Sequence, residues 1–346
     1  MSDINMRKDQ HLLLCLDPAK EVESGHTSGL SSYRLEYDAL PELDLADVDL
    51  SVELLGRKLS APLLLGAMTG GSANAAQINT RLARVAAKMQ LGMALGSQRA
   101  MLQDPALTYT YDVREVAPDL PLLLGNIGAV QLNYGVTAEQ IANMIHAVRA
   151  DGLYFHLNPL QEAIQPEGDT RFAHLHDKLH QTIAELPFPC LIKEVGAGIS
   201  QRTADKLANL PIAGIEASGV GGTSWARIEG YRAAPNSPLA QIGEELCGFG
   251  ITTAQSIQNC RRAFTQRLVI ASGGIRNAHD TAVALILGAD AVAIARPTLL
   301  AADQSETQLE LYLSKLLQAL KIICFCTGSR DITQLRQTGI IQIPAL

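Results

Sequence analysis

The stretch "HLNPLQEAIQPEGD", residues 156–169, sets neutral hydrogen-bonding groups ahead of its first carboxylate. His156 and Asn158 lie two apart, so in an extended chain they share a face while Leu157 turns away. Gln161 and Glu162 then fall in the loop that follows. A lone carboxylate such as Glu162 binds Mg²⁺ well when phosphate oxygens and water complete the shell. The plainer alternatives are a solvated surface glutamate and a histidine satisfied within the structure.

Two other segments point at an anion. "SGGIRNAHD" offers Gly273 and Gly274, whose backbone N–H groups can approach a phosphate, and Asn277 as a cap for the next helix. "AIARP" sets Ala295 and Arg296 before Pro297, a residue suited to opening a helix. Lys193, after "PCLI", either snorkels at a rim or is directed inward at something anionic, and alternation puts it on the face of Leu191 without saying which face that is. Near the N-terminus Arg7, Lys8 and His11 form a basic knot. On residue types alone it reads as a solvated tail ahead of any regular element; the sharper alternative is an arm folding over a polyanionic ligand.

The elements that must position these groups are legible as periodicity. From about residue 60, eight short apolar runs alternate with amphipathic segments: "APLLLGA", "LGMALGS", "LPLLLGN", "GLYFHL", "PCLIKEV", "IAGIEAS", "LVIASG" and "ADAVAIA". In "TAEQIANMIHAVRA" the residues Ile141, Met144, Ile145 and Val148 keep helical spacing, and Thr137 with Gln140 forms a capping box. Eight such units over roughly 250 residues predict an α/β fold, a closed (β/α)8 TIM barrel, whose active-site groups stand at the C-terminal ends of the strands. Every candidate from 67 to 296 falls at such an end. Residues 1–59 read as an N-terminal extension with little periodicity, and 60–346 as the barrel, with a long loop at 219–250 and a closing helix "SETQLELYLSKLLQALKIICFC". Connections of that length are usually functional or disordered.

Composition bounds the rest. The 346 residues, 47% of them hydrophobic, can bury a large core. A net charge of -7, from 28 basic and 35 acidic residues, argues against a sequence-independent grip on nucleic acid. No apolar run approaches a membrane span, and the apolar run near the start is shorter than a signal-peptide core. Six scattered cysteines fit a reducing cytoplasm, with Cys324 and Cys326 read as small hydrophobes at a helix end. His174, His176 and His180 are placed on one helix, a polar face rather than a metal site.

Together "RKDQH", "GAMTGG", "GSQRA", "GNIGA", "HLNPLQEAIQPEGD", "KEVGAGIS", "GVGGTSWARIE" and "SGGIR" resemble, in order and through most of the chain, the type 2 (FMN-dependent) isopentenyl-diphosphate isomerases. Gln10 replaces an acidic residue frequent in that family, and Ala278 a common glycine. The resemblance implies that Ala67, Met68, Thr69, Ser97, Asn126 and Lys193 line the flavin ring. Ser218, Thr223, Gly273, Gly274, Ala295 and Arg296 would hold its ribityl chain and phosphate. Arg7, Lys8, Ser97, Gln98 and Arg99 would grip the substrate diphosphate, with His11 in the same set. His156, Asn158 and Gln161 would surround the substrate and, with Lys193, carry catalysis, and Glu162 would bind Mg²⁺. It further implies isopentenyl diphosphate as substrate, NADPH as reductant of FMN, and a homotetramer or homo-octamer.

That chemistry accounts for the order of groups in 156–169. Moving the double bond of isopentenyl diphosphate adds one proton to an unactivated alkene and removes another, through a tertiary cation. Reduced FMN can act as both acid and base, leaving the protein to position the hydrocarbon with neutral groups that cannot capture the cation. The alternative is an FMN-dependent oxidoreductase of a small 2-hydroxy acid, for which "ASGVGGTSW" supplies neither the His nor the Arg expected. A dehydrogenase with a nucleophilic Cys247 lacks an activating base nearby. A noncatalytic flavin or phosphate carrier leaves the 156–162 polar set idle.

Overall fold

The eight apolar runs become eight parallel strands: β1 Leu63–Leu65, β2 Gly92–Ala94, β3 Leu122–Gly128, β4 Gly152–Leu157, β5 Cys190–Glu194, β6 Gly214–Ser218, β7 Leu268–Ser272 and β8 Ala291–Ile294. Each pairs with its sequence neighbours, and β8 returns to β1, closing a (β/α)8 barrel. The structure is a computed structural model and describes residues 3–343, with side chains from residue 7 onward.

Alternation along the strands builds two cores. Leu64, Ala94, Leu122, Leu124, Tyr154, Leu191 and Ile270 fill the barrel interior, where Leu54 and Leu59 of the hairpin Val52–Leu54/Arg57–Leu59 join them. Leu63, Leu65, Met93, Leu123, Phe155, Ile192 and Val269, one residue out of phase, pack outward with the helices. This settles the orientation of Lys193. It shares the face of Leu191, and that face is the interior.

Helix ends follow their local chemistry. Among the helices are α1 Asp3–Leu16, α2 Ala138–Ala147, α3 Pro159–Ile164, α4 Trp225–Arg232, α5 Pro238–Glu245, α6 Ala278–Ile286, α7 Arg296–Gln304 and α8 Glu306–Cys326. The capping box of Thr137 and Gln140 opens α2, Asn277 caps α6 through the Asp280 N–H, and Pro297 stands in the first turn of α7. The closing helix is α8, with Cys324 buried.

Several expectations need correction. The basic knot is not a tail ahead of regular structure, because Arg7, Lys8 and His11 lie on α1; that helix has weak amphipathic periodicity, since it buries polar groups over the barrel mouth as well as Leu12 and Cys15. Gln161 and Glu162 stand on the short helix α3, which Pro159 initiates, not in a loop. Segment 219–250 holds α4 and α5, packed together through Gly230 and Gly243. His174 precedes its helix with a φ of 56°, leaving His176 and His180 on Leu175–Glu185. Among the described residues no group of three or more metal-ligating side chains occurs, and no helix is long and apolar enough to cross a membrane.

Candidate active site

One large cavity opens at the C-terminal ends of the strands, roofed by α1, α4 and the loops. Ala67, Met68 and Thr69 after β1, Ser97 and Arg99 after β2, Asn126 on β3, and His156, Asn158, Gln161 and Glu162 on or after β4 line it. So do Lys193, Ser218, Thr223, Gly273, Gly274, Ala295 and Arg296, together with Arg7, Lys8 and His11 from α1. Gln98 does not. Its side chain is fully buried, accepting from Asn126 N (2.9 Å) and donating to Met101 Sδ (3.2 Å), so it braces β2 against β3 instead of facing a ligand.

His156 has a defined proton. Asn126 Nδ2 donates to Leu95 O (3.0 Å), so its Oδ1 must accept, and His156 Nδ1 lies 2.8 Å from it. The proton is therefore assigned to Nδ1 and Nε2 keeps a lone pair. Burial pushes the imidazole pKa down to about 3, helped by the charges of Lys193 and Lys8. The ring is a neutral acceptor at physiological pH.

Asn158 leaves its role as a cap of α3 and donates from Nδ2 to Gln161 Oε1 (3.1 Å) and Glu162 Oε1 (2.9 Å). Its Oδ1 is buried with no partner among the described residues, an acceptor that a ligand donor would satisfy. Gln161 Nε2 donates to Glu229 Oε1 (2.8 Å), a carboxylate on α4 with no solvent exposure. Burial alone would raise the pKa of Glu229, but His11 (Nε2 2.9 Å away), Arg232 and Gln161 outweigh it and hold it at about 2. His11 is itself pushed down by burial, with Glu229 pulling it partly back. Gln165 completes this shell once its amide is turned to match its neighbours, so that its nitrogen donates to Glu229 (3.2 Å) and its oxygen accepts from Arg7 (3.1 Å).

Glu162 is buried, its Oε2 accepting from the Asp169 N–H (2.7 Å); burial raises its pKa against that bond. Asp169 also holds Arg99 (2.5 Å) and accepts from Gln131 (2.8 Å). Arg99 Nε is a buried donor with no partner among the described residues. Lys193 Nζ donates to the Glu194 carbonyl (2.7 Å), while the Glu194 carboxylate accepts from the N–H groups of Val195, Gly196, Ala197 and Gly198 at 2.6–3.1 Å. That nest fixes the loop beside the lysine.

The opposite end of the cavity is built from backbone. Gly273 (φ 97°) and Gly274 (φ 71°) are left-handed, and a Cβ on either would come within 2.3 Å of a carbonyl oxygen of the β6 loop. Only glycine lets these loops nest and leaves their amides lining the cavity. The donor set fits a flavin mononucleotide: hydroxyl, amide and lysine groups along the middle, and glycine amides with Arg296 at the end. The lone carboxylate of Glu162 fits a divalent cation whose other ligands come from a bound phosphate and water.

Sequence reasoning missed Glu23, Glu216, Glu229 and Asp169. Glu216 is buried on β6 in register with Lys193 and accepts from Ser272 Oγ (2.7 Å). Its place in "IAGIEAS", inward by alternation like Lys193, was the available signal. Asp169 ends the 156–169 stretch and Glu229 ends "GTSWARIE", but the contacts that bring them to the site, with Arg99 and Gln161, cross 70 and 68 residues, and no local pattern joins them.

The FMN-dependent dehydrogenase family pattern matches residues 130–342. A mutant of an active chimera of (S)-mandelate dehydrogenase superposes with a TM-score of 0.67 at 18% identity, covering 96% of this chain and 98% of that one. A mandelate oxidase variant gives 0.66 at 14%, over 98% and 99%. At such identities these show the shared barrel alone. Sequence relatives are much nearer: the isopentenyl-diphosphate delta-isomerase of Synechococcus sp. is 47% identical over 99% of this chain and 97% of its own length, and that of Deinococcus radiodurans 45% over 96% and 97%. By that likeness, and by the family pattern that spans the barrel from β4 to β8, the chain belongs to the FMN-dependent, type 2 isopentenyl-diphosphate delta-isomerases.

Proposed function

We propose that this protein is an isomerase interconverting isopentenyl diphosphate and dimethylallyl diphosphate. The observation that carries the reading is the juxtaposition of neutral His156, Asn158 and Gln161 in a cavity whose rim bears Arg7, Lys8 and Arg99. A hydrocarbon with a diphosphate at one end needs both. Reduced FMN, when bound, supplies the acid–base chemistry beside the alkene. Ala67 to Thr69, Ser97, Asn126 and Lys193 would hold its ring, and Ser218, Thr223, Gly273, Gly274, Ala295 and Arg296 its tail.

The chain's own groups orient and shield. Gln161, fixed by ionised Glu229 and by Asn158, presents an amide that neither gains nor loses charge near pH 7. His156 offers Nε2 only as an acceptor, and the roof of α1 and α4 excludes water that would capture a cation. Lys193 places a positive charge where the ring's electron-rich form benefits from it. Arg7, Lys8, Ser97, Arg99 and His11 would hold the diphosphate end, and Glu162 would hold a Mg²⁺ that supplies further positive charge there. NADPH as reductant, a homotetramer or homo-octamer, and a cytoplasmic location belong to the same reading, on the strength of the family. The 2-hydroxy acid oxidoreductase shares only the barrel, and the β6 loop lining the cavity brings no His–Arg pair.

The test is an anaerobic incubation with FMN, NADPH, Mg²⁺ and isopentenyl diphosphate. Dimethylallyl diphosphate formed without net NADPH consumption is the expected result. Stoichiometric consumption would favour the oxidoreductase, and absence of product a carrier.

A further inference from the structure

Residues 22–24 form a strap across the loop after β6. Ser24 N donates to Gly222 O (2.9 Å), Ser224 N donates to Val22 O (2.8 Å), and Glu23 is bridged antiparallel to Thr223. Arg227 Nη1, donating to Glu23 O (2.5 Å), pins the same point from α4. With its backbone fixed, Glu23 sends its carboxylate to Arg276 Nη2 (2.5 Å) and Arg296 Nη1 (3.2 Å) at the glycine end of the cavity, which all three line. The arginines are tied to backbone as well: Arg276 to Gly274 O (2.8 Å) and Gly221 O (2.9 Å), Arg296 to Cys15 O (3.1 Å).

These side chains sit at the rim, with exposures of 34% for Glu23, 41% for Arg276 and 20% for Arg296. So solvated a pair adds little to fold stability. Its effect falls on what passes the rim.

We propose that Glu23 is a specificity-determining residue of the cofactor site, limiting it to a flavin that ends in one phosphate. The inference rests on the FMN reading above. A terminal phosphate is served by the glycine amides and by Arg296, which keeps donors beyond those given to Glu23 and Cys15. A dinucleotide carries a second phosphate and an adenosine that must leave the cavity through this rim. That requires parting Glu23 from two arginines while bringing a second anion against its carboxylate. Uncharged riboflavin, which never reaches the rim, is indifferent to Glu23.

The experiment is calorimetric titration of the deflavinated full-length chain with FMN, FAD and riboflavin, for wild type, Glu23→Ala and Glu23→Gln. Wild type is expected to prefer FMN to FAD strongly. Glu23→Ala reduces that preference at least tenfold, chiefly by gaining affinity for FAD, and leaves riboflavin affinity unchanged. Glu23→Gln, which removes charge but keeps bulk, falls between and serves if the alanine variant does not fold. An unchanged FMN-to-FAD ratio in both variants, equal gains for FAD and riboflavin, or a wild type indifferent between FMN and FAD would overturn the role of Glu23. Wild-type protein that binds no flavin would instead overturn the reading beneath it.

Discussion

Lys8 donates from Nζ to the carbonyl oxygen of Ser97, 3.0 Å away, so a cation from α1 is latched onto the loop after β2. The side chain opens onto the cavity and is partly buried. Burial lowers its pKa to about 7, with further depression from the charges of Arg7 and Arg99.

It follows that anion binding weakens with alkalinity in a range where surface lysines would not respond. Below about pH 7 the ammonium is present in the free protein; above it the proton is lost. Diphosphate affinity, measured by titration from pH 6 to 9, is expected to fall with an inflection near or, once the anion is bound, above 7. Lys8→Met should cost about 10- to 100-fold, the worth of a charge-assisted hydrogen bond, and flatten the profile. The folded pKa lies below that of the unfolded chain, so the unfolded state carries the extra proton between about 7 and 10.5, and ligand-free stability should rise with pH across that window. A pH-independent affinity would contradict the assignment.

His156 is expected to stay neutral far into acid. In labelled protein its ring resonances should not titrate between pH 5 and 8, because its pKa is held at about 3. The unfolded chain protonates first, so stability is lost as pH falls from about 6.5 toward 3. Asn126→Leu removes the acceptor for Nδ1–H, and loss of the fixed tautomer should appear as altered ring nitrogen shifts. Titration near 6.5 in the wild type would refute this.

Glu162→Gln is expected to raise the Mg²⁺ concentration needed for substrate binding by about tenfold or more while leaving the flavin spectrum unaltered. Glu162 touches Asn158 and Asp169, none of them at the glycine end of the cavity. Loss of bound FMN would count against the role.

Removal of residues 1–11 is expected to spare FMN binding and to raise KM for the diphosphate substrate, since it deletes Arg7, Lys8 and His11 but leaves Leu12 and Cys15 in the core. Glu229 would lose His11, though Arg232 and Gln161 would still hold it. An unaltered KM would show that α1 does not grip substrate.

The barrel was readable because each strand is a short apolar run bounded by helix signals, and strand-end placement follows from the fold. Lys193 shows what adds precision: its face was ambiguous until Leu191 and Tyr154 proved to point inward. The arm was misread because α1 buries Arg7, Lys8 and His11 by ion pairing and hydrogen bonding to residues such as Glu167, Ser97 and Glu229, so an apolar stripe underreports it. Glu23, Asp169 and Glu229 were missed for a related reason. The contacts that bring them to the site, with Arg276 and Arg296, Arg99, and Gln161 and His11, lie far off in sequence, and long-range polar pairing has no period.

An antiparallel ribbon joins Tyr33–Leu35 to Ile340–Gln342. That ribbon is a late clamp on a segment already held by earlier-translated partners, since Lys8 meets Ser97 and Glu23 meets Thr223, Arg276 and Arg296. A nascent polypeptide that has emerged through Gln304 would therefore hold all eight staves of the barrel and most fastenings of their cover, with the ribbon at Ile340–Gln342 added afterwards.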